Sequence, residues 1–126
     1  MTAGVIVPPE QWASFLELAT RKNAGREVRI EVLDPSFGDQ EEADGVRLVD
    51  VAYDAKDDVV IVSAAEGQKE GRTTLRHLVP RPSGISSALL DDGQEVMRIS
   101  SAEGSTTLLW LKPASNDASS APQVRR

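Results

Sequence analysis

The sequence predicts an α+β fold: an N-terminal amphipathic helix packed on a curved antiparallel meander of about six to seven strands. Three observations carry this expectation. Residues 9–23 place apolar side chains at helical spacing. From residue 27 onward, short β-rich runs alternate with turn clusters. One pattern also occurs twice. Val60-Ile61-Val62-Ser63-Ala64-Ala65-Glu66-Gly67 leads, after four extra residues, to Arg72-Thr73-Thr74-Leu75-Arg76-His77-Leu78-Val79-Pro80. Val96-Met97-Arg98-Ile99-Ser100-Ser101-Ala102-Glu103-Gly104 runs directly into Ser105-Thr106-Thr107-Leu108-Leu109-Trp110-Leu111-Lys112-Pro113. Each copy is a β-rich run, a Glu-Gly turn, a Thr-Thr-Leu run and a proline that ends the strand.

Taken in order, residues 1–7 form a short extended lead. Pro8-Pro9 cannot lie inside a helix but suits its first turn, where a missing N–H costs nothing. Trp12, Phe15, Leu16 and Ala19 then fall at i, i+3, i+4 and i+7, with Leu18 beside them. Arg21 and Lys22 sit in the last turn, where the helix dipole favours cations, and Asn23 and Gly25 supply the stop. A helix over 9–23 with two large aromatics on one stripe is a lid for a sheet.

The first strand is 27–33, where Val28, Ile30 and Val32 alternate with Arg29 and Glu31. Asp34-Pro35-Ser36-Phe37-Gly38 is a turn cluster, and the acidic stretch 39–45 reads as an irregular edge strand or a loop. In the strand 46–53, Val46 and Leu48 favour one face while Val49, Val51 and Tyr53 favour the other; a bulge near Leu48-Val49 reconciles them, because one extra residue inverts the alternation. The strand 58–63 is apolar on both faces and so central. Further strands are expected at 72–79, 85–90, 94–101 and 105–112, with Asp91-Asp92-Gly93 as a hairpin turn. A long meander with bulges curls, and barrel-like closure would hide its edges. Residues 1–113 read as a single α+β domain and 114–126 as a flexible polar tail, too poor in apolar side chains to offset ordering entropy.

Composition narrows the function classes. The 126 residues are 40% hydrophobic with only two Trp, one Tyr and two Phe, which implies an aliphatic core. A formal charge of -6 opposes general nucleic-acid binding and docking on anionic membranes, both of which need a basic face. With no cysteine there is no disulfide, no thiolate nucleophile and no cysteine metal site. No stretch has the length of a membrane span and residues 1–7 lack the features of a signal peptide, so a cytoplasmic location is expected.

The chain also resembles a family of small bacterial single-domain proteins classed as a domain of unknown function. The resemblance rests on Pro9-x-x-Trp12-x-x-Phe15-Leu16, Val28-x-Ile30-Glu31-Val32-Leu33, Gly38-x-Gln40-x-Glu42-Ala43 and Val51-x-Tyr53-Asp54. It continues through Asp57-Asp58-x-Val60, His77-x-Val79-x-Arg81-Pro82 and Glu103-Gly104-x-Thr106-Thr107-Leu108, and spans residues 5–112. It implies a free-standing domain and transfers no catalytic residue.

Few residues invite chemistry. His77 is the sole histidine; on a regular strand it shares a face with Leu75 and Val79. A general base is one role for it, but no nucleophile or metal partner is visible, and a hydrogen-bonded structural histidine is the plainer one. Asp34, Asp39, Glu41, Glu42 and Asp44 lack the ordered spacing of a calcium loop and read as solvated surface. Gly67-x-x-x-Gly71 lacks the Gly-Lys-Ser/Thr ending of a phosphate loop. No catalytic, cofactor-binding or metal residue is therefore assigned, and no cofactor is expected. Lys69, Arg72, Arg76, His77 and Arg81 form the candidate partner patch, with charge balance inside the chain as the competing explanation. Trp12, Phe15 and Trp110 are expected to serve the core.

The function expected is a non-catalytic protein-interaction or self-association module, with a protein partner or a second copy as its ligand. A small-molecule binder or minor enzyme using His77 is the alternative. A nucleic-acid binder of Sm-like outline, acting through Lys69–Arg81, comes last because the net charge opposes it.

Overall fold

The computed structural model describes residues 3–66 and 75–113. Among them run eight strands, β1 (Ala3–Val7), β2 (Glu27–Asp34), β3 (Gly38–Asp54), β4 (Val59–Ala65), β5 (Leu75–Pro80), β6 (Pro82–Leu89), β7 (Glu95–Ser101) and β8 (Thr106–Leu111). A 3-10 turn, Pro9–Gln11, leads into the helix α1 (Trp12–Asn23). All strands join one antiparallel sheet in the order β1-β6-β7-β8-β2-β3-β4-β5. The α+β expectation holds, with two differences. There are eight strands rather than six or seven, because residues 3–7 form a strand on β6 instead of an extended lead. The hydrogen-bonded ladder does not close into a barrel: β1 and β5 end it.

The acidic stretch 39–45 is also strand. Gly38–Asp54 is one continuous element of 17 residues, paired with β2 through its first part and with β4 through its second. The inverted phase expected near Leu48-Val49 is present as a register shift between Leu48 and Asp50 against β4. Arg47 is the last residue of β3 in register with β2, and beyond it the backbone is satisfied from the helix side. Leu48 donates to the Arg26 carbonyl and its own carbonyl receives Gly25 N–H, at 2.9 and 2.8 Å. The Thr20 hydroxyl donates to the Val51 carbonyl at 2.9 Å and accepts Val51 N–H at 3.0 Å. In this way α1 takes the place of a neighbouring strand along the second half of β3.

Helix α1 starts with Pro9 in its leading turn and ends at Ala24, followed by Gly25 at φ 89°. Its buried side is Trp12, Leu16, Ala19 and Asn23. Trp12 donates Nε1–H to the Val7 carbonyl at 3.0 Å and meets the Tyr53 ring edge-on with centroids 5.3 Å apart. Trp12 belongs to the core as expected, and Phe15 packs half-buried against it.

Beneath the helix the core is aliphatic: Leu16, Val28, Ile30, Val60, Val62, Met97, Ile99, Leu109 and Leu111 are all buried. β5 passes directly into β6 at Arg81, which turns at φ 45°, a region costly for a side-chain-bearing residue. Three bonds hold that corner: Arg81 N–H to the Asp58 carbonyl (2.8 Å), Ala102 N–H to the Arg81 carbonyl (2.7 Å) and the Ser101 hydroxyl to the Pro80 carbonyl (2.7 Å). The bent ribbon 75–89 thereby pairs with β4 through its first half and with β7 through its second. Among the described residues no helix is long and apolar enough to cross a membrane.

Candidate functional site

Side chains of the strands alternate between core and exterior. In β6, β7 and β8, Ile85, Met97, Ile99, Leu109 and Leu111 take the core face. The opposite face carries Ser86, Ala88, Val96, Arg98, Leu108 and Trp110, which line a groove of about 510 Å³ continuing onto Gly4, Val5 and Ile6 of β1. Cross-strand pairing sets its floor: Val96 lies opposite Ala88 on one side and Trp110 on the other. Small side chains lie near β1 and large ones on β8.

The far wall of the trough is charged. The Arg29 guanidinium lies 5.0 Å from the Trp110 ring centre, a cation–π distance. Trp110 donates Nε1–H to Glu31 Oε1 at 2.9 Å, and Arg29 approaches the same oxygen at 3.4 Å. The Glu31 carboxyl is held below the ordinary carboxylate value, first by its hydrogen bond to Asp39 and then by Trp110. Asp39 is pushed up by the same shared bond. Of the two carboxyls Glu31 is the stronger acid, and it holds the indole and guanidinium in place.

At the near end the groove meets a sheet edge. Among the described residues β1 pairs with β6 on one side only; it contains no charge or proline and exposes Val5 and Ile6 by 58% and 84%. The opposite edge is different. β5 carries Arg76, ends in Pro80 and runs into Arg81 and Pro82, residue types that oppose pairing with another strand. Among the described residues one edge is blunted and the other is bare.

His77 lies elsewhere, pointing inward from β5. Its Nε2 is 2.9 Å from the Thr107 hydroxyl of β8, across the core. Burial pushes its pKa down, with the Glu42 charge pulling the other way. A histidine so placed joins two halves of the structure. A second, half-buried polar knot lies at the helix C-terminus, where Arg26 donates to Asn23 Oδ1 (2.7 Å), to Glu95 (3.5 Å) and to the Lys112 carbonyl (2.9 Å from Nε). Glu95 in turn accepts from the Ser87 hydroxyl at 3.1 Å, and Asn23 Nδ2 has no hydrogen-bond partner among the described residues. No spacing in the sequence announces this knot, since Arg26 and Glu95 are 69 positions apart.

Of the residues read from sequence as a partner patch, Lys69 and Arg72 lie outside the described residues, as does the tail 114–126. Arg76 points outward, in a row with Ser63 and Asp50. His77 takes the opposite face of the same strand, and Arg81 stands at the corner with its guanidinium 3.4 Å from Glu103. The bare edge went unrecognised in the sequence, although Ala-Gly-Val-Ile-Val is a β-rich run with no charge. Trp110, expected in the core, takes the outer face of β8 instead, because Thr107, Leu109 and Leu111 hold the inward positions.

No solved structure matches this chain. An uncharacterized protein of Aquifex aeolicus (strain VF5) is 31% identical over 108 residues, which cover 86% of this chain and 91% of that protein. The model of the family of unknown function DUF5335 matches residues 6–120, and the chain belongs to that family.

Proposed function

We propose that this protein is a non-catalytic association module of the bacterial cytoplasm, which takes up an extended strand of a protein partner or of a second copy along β1. The supporting observation is the bare β1 edge, continuous with an apolar groove of about 510 Å³. An edge strand offers a row of unused N–H and C=O groups, and the groove beside it receives the alternate side chains of an added strand. Main-chain pairing would supply affinity there, and the β1 end of the groove, at Gly4, Ile6 and Ala88, would supply selectivity. The blunted β5 edge adds support, because it leaves one direction for association.

The role of His77 follows from its surroundings: turned inward onto Thr107, it is better suited to joining strands than to meeting a substrate.

Amide hydrogen exchange tests the reading whatever the partner is. Residues 3–7 are expected to exchange quickly in dilute purified protein and to slow when the protein is concentrated or placed in cell extract. Exchange of β1 that stays equally fast under all three conditions would overturn it.

A further inference from the structure

We infer that the occupant of the β1 edge is the β1 strand of a second copy, paired antiparallel about a two-fold axis through Val5. This rests on the association reading above and names its partner. Three features of β1 carry the inference.

The first is Gly4. Glycine inside a strand weakens it and commonly marks a place where another chain comes close. Nothing within this fold demands it. Gly4 is not among the glycines with positive φ, and a Cβ added there would meet Ser87 O at 3.5 Å and Ala88 Cβ at 3.7 Å, ordinary contact distances. The missing side chain thus leaves room that the protein itself does not use.

The second is Ile6. It is 84% exposed and stands on the same outer face as Gly4, two residues along. In an antiparallel pair of identical strands centred on Val5, Ile6 of each copy falls opposite Gly4 of the other. Each isoleucine then lies over the partner's Gly4, at the small-residue end of its groove towards Ala88. On the opposite face the two Val5 side chains, each 58% exposed alone, cover one another. An interface of this kind is isologous and closes after two copies.

The third is electrostatic. A chain of net charge -6 repels its own copy. β1 and β6 together, Ala3–Val7 and Pro82–Leu89, contain no ionisable side chain. Approach along this edge keeps the charges of the two copies at a distance, whereas β5 would bring Arg76 and Arg81 to the contact.

The chain has no cysteine, so a single introduced thiol reports on one contact. A pair of directly opposed residues in an antiparallel ladder has Cα atoms about 4.5–5.5 Å apart, within disulfide range. Val5→Cys is therefore expected to give a disulfide-linked dimer under mild oxidation, while Ala55→Cys, on the exposed 54–58 turn, gives none. Sedimentation velocity of the unmodified protein is expected to show a monomer–dimer equilibrium. Gly4→Val fills the space that Ile6 of the other copy needs, and Ile6→Lys brings charge to it; each should weaken the dimer by about tenfold or more. Both variants keep a folded monomer, because Ile6 faces solvent and the position 4 Cβ meets only ordinary contacts. A dimer unaffected by either variant, or a Val5→Cys protein that crosslinks no more than Ala55→Cys, overturns the inference. If β1 amides are nonetheless slowed in cell extract, the strand-uptake reading stands with a different partner; if they are not, both fall.

Discussion

The β4–β5 and β7–β8 hairpins are written with nearly the same sequence and assembled differently. Their first strands match in phase: Val60, Val62 and Ala64 are buried, as are Met97, Ile99 and Ser101 at the corresponding positions. Their second strands do not. Ile99 stands opposite Thr107, the residue before Leu108. Val62 stands opposite His77, two residues after Leu75. Counted from the shared Thr-Thr-Leu, the register has slipped by three positions, and an odd slip moves every side chain to the other face. Leu108 and Trp110 therefore point outward while their sequence counterparts Leu75 and His77 point inward.

Turn geometry accounts for the difference. In β7–β8 the connection is tight: Gly104 N–H reaches the Ser101 carbonyl at 3.0 Å, and Ser101 N–H reaches Ser105 O at 2.9 Å, which fixes the register from the loop outward. In the other copy four more residues separate the strands, so packing is free to choose the register. What it chooses brings the two register-equivalent residues, His77 and Thr107, together across the core at 2.9 Å. A repeat in sequence is thus a repeat of propensity, and loop length decides which face each side chain serves.

The largest effect expected from this contrast concerns burial. β8 has neighbours on both sides, β7 and β2, whereas β5 has β4 alone. Leu109 is fully buried and Leu75 is half-buried at the sheet's end. Leu109→Ala should cost about 3–5 kcal/mol, and Leu75→Ala about 1–2 kcal/mol. Urea unfolding of the two variants decides it. Equal losses would mean that the edge hairpin is as firmly held as the central one.

The same contrast explains what could be read from sequence. The helix, the bulge near Leu48 and most strands follow from local periodicity, because each is set by spacing within a few residues. The duplicated pattern also announced two hairpins. It did not announce that His77 and Trp110 face opposite ways, since register across a loop is a tertiary outcome. The β1 strand escaped because five apolar residues before Pro8-Pro9 are too few to separate a strand from an extended lead. The Arg26–Glu95–Ser87 knot gathers residues from two strands and the helix–β2 connection and left no trace in spacing.

A smaller effect, visible in its pH dependence, comes from the imidazole that the slipped register places inside. Burial lowers the pKa of His77 from 6.5. The unfolded chain therefore takes up a proton more readily than the folded protein as pH falls below 6.5, and stability drops with it. Above 6.5 both states carry the neutral ring and this loss is absent; it grows as the pH descends through the depressed folded value. His77→Gln should remove that part of the acid sensitivity while the carboxylates retain theirs. Thermal melts of both proteins from neutral to mildly acidic pH measure the difference, and parallel curves would place the ring in water rather than on Thr107.

The smallest effect belongs to Trp110, which occupies the outward position that corresponds in sequence to His77. Its indole N–H is one of the groups holding Glu31 below the carboxylate value of 4.5, second to the bond with Asp39. Trp110→Phe keeps the ring beneath Arg29 but removes that donor. Glu31 should then titrate higher than in the parent protein, with the Asp39 contact still acting to lower it. Since the ring is kept and one half-buried hydrogen bond is lost, stability should change by only about 1 kcal/mol. Carboxyl NMR titration of Glu31 and Asp39 separates the two contributions. A Glu31 curve indifferent to the substitution would mean that the indole N–H is directed elsewhere, and the charged wall of the groove would then rest on Arg29 and Asp39 alone.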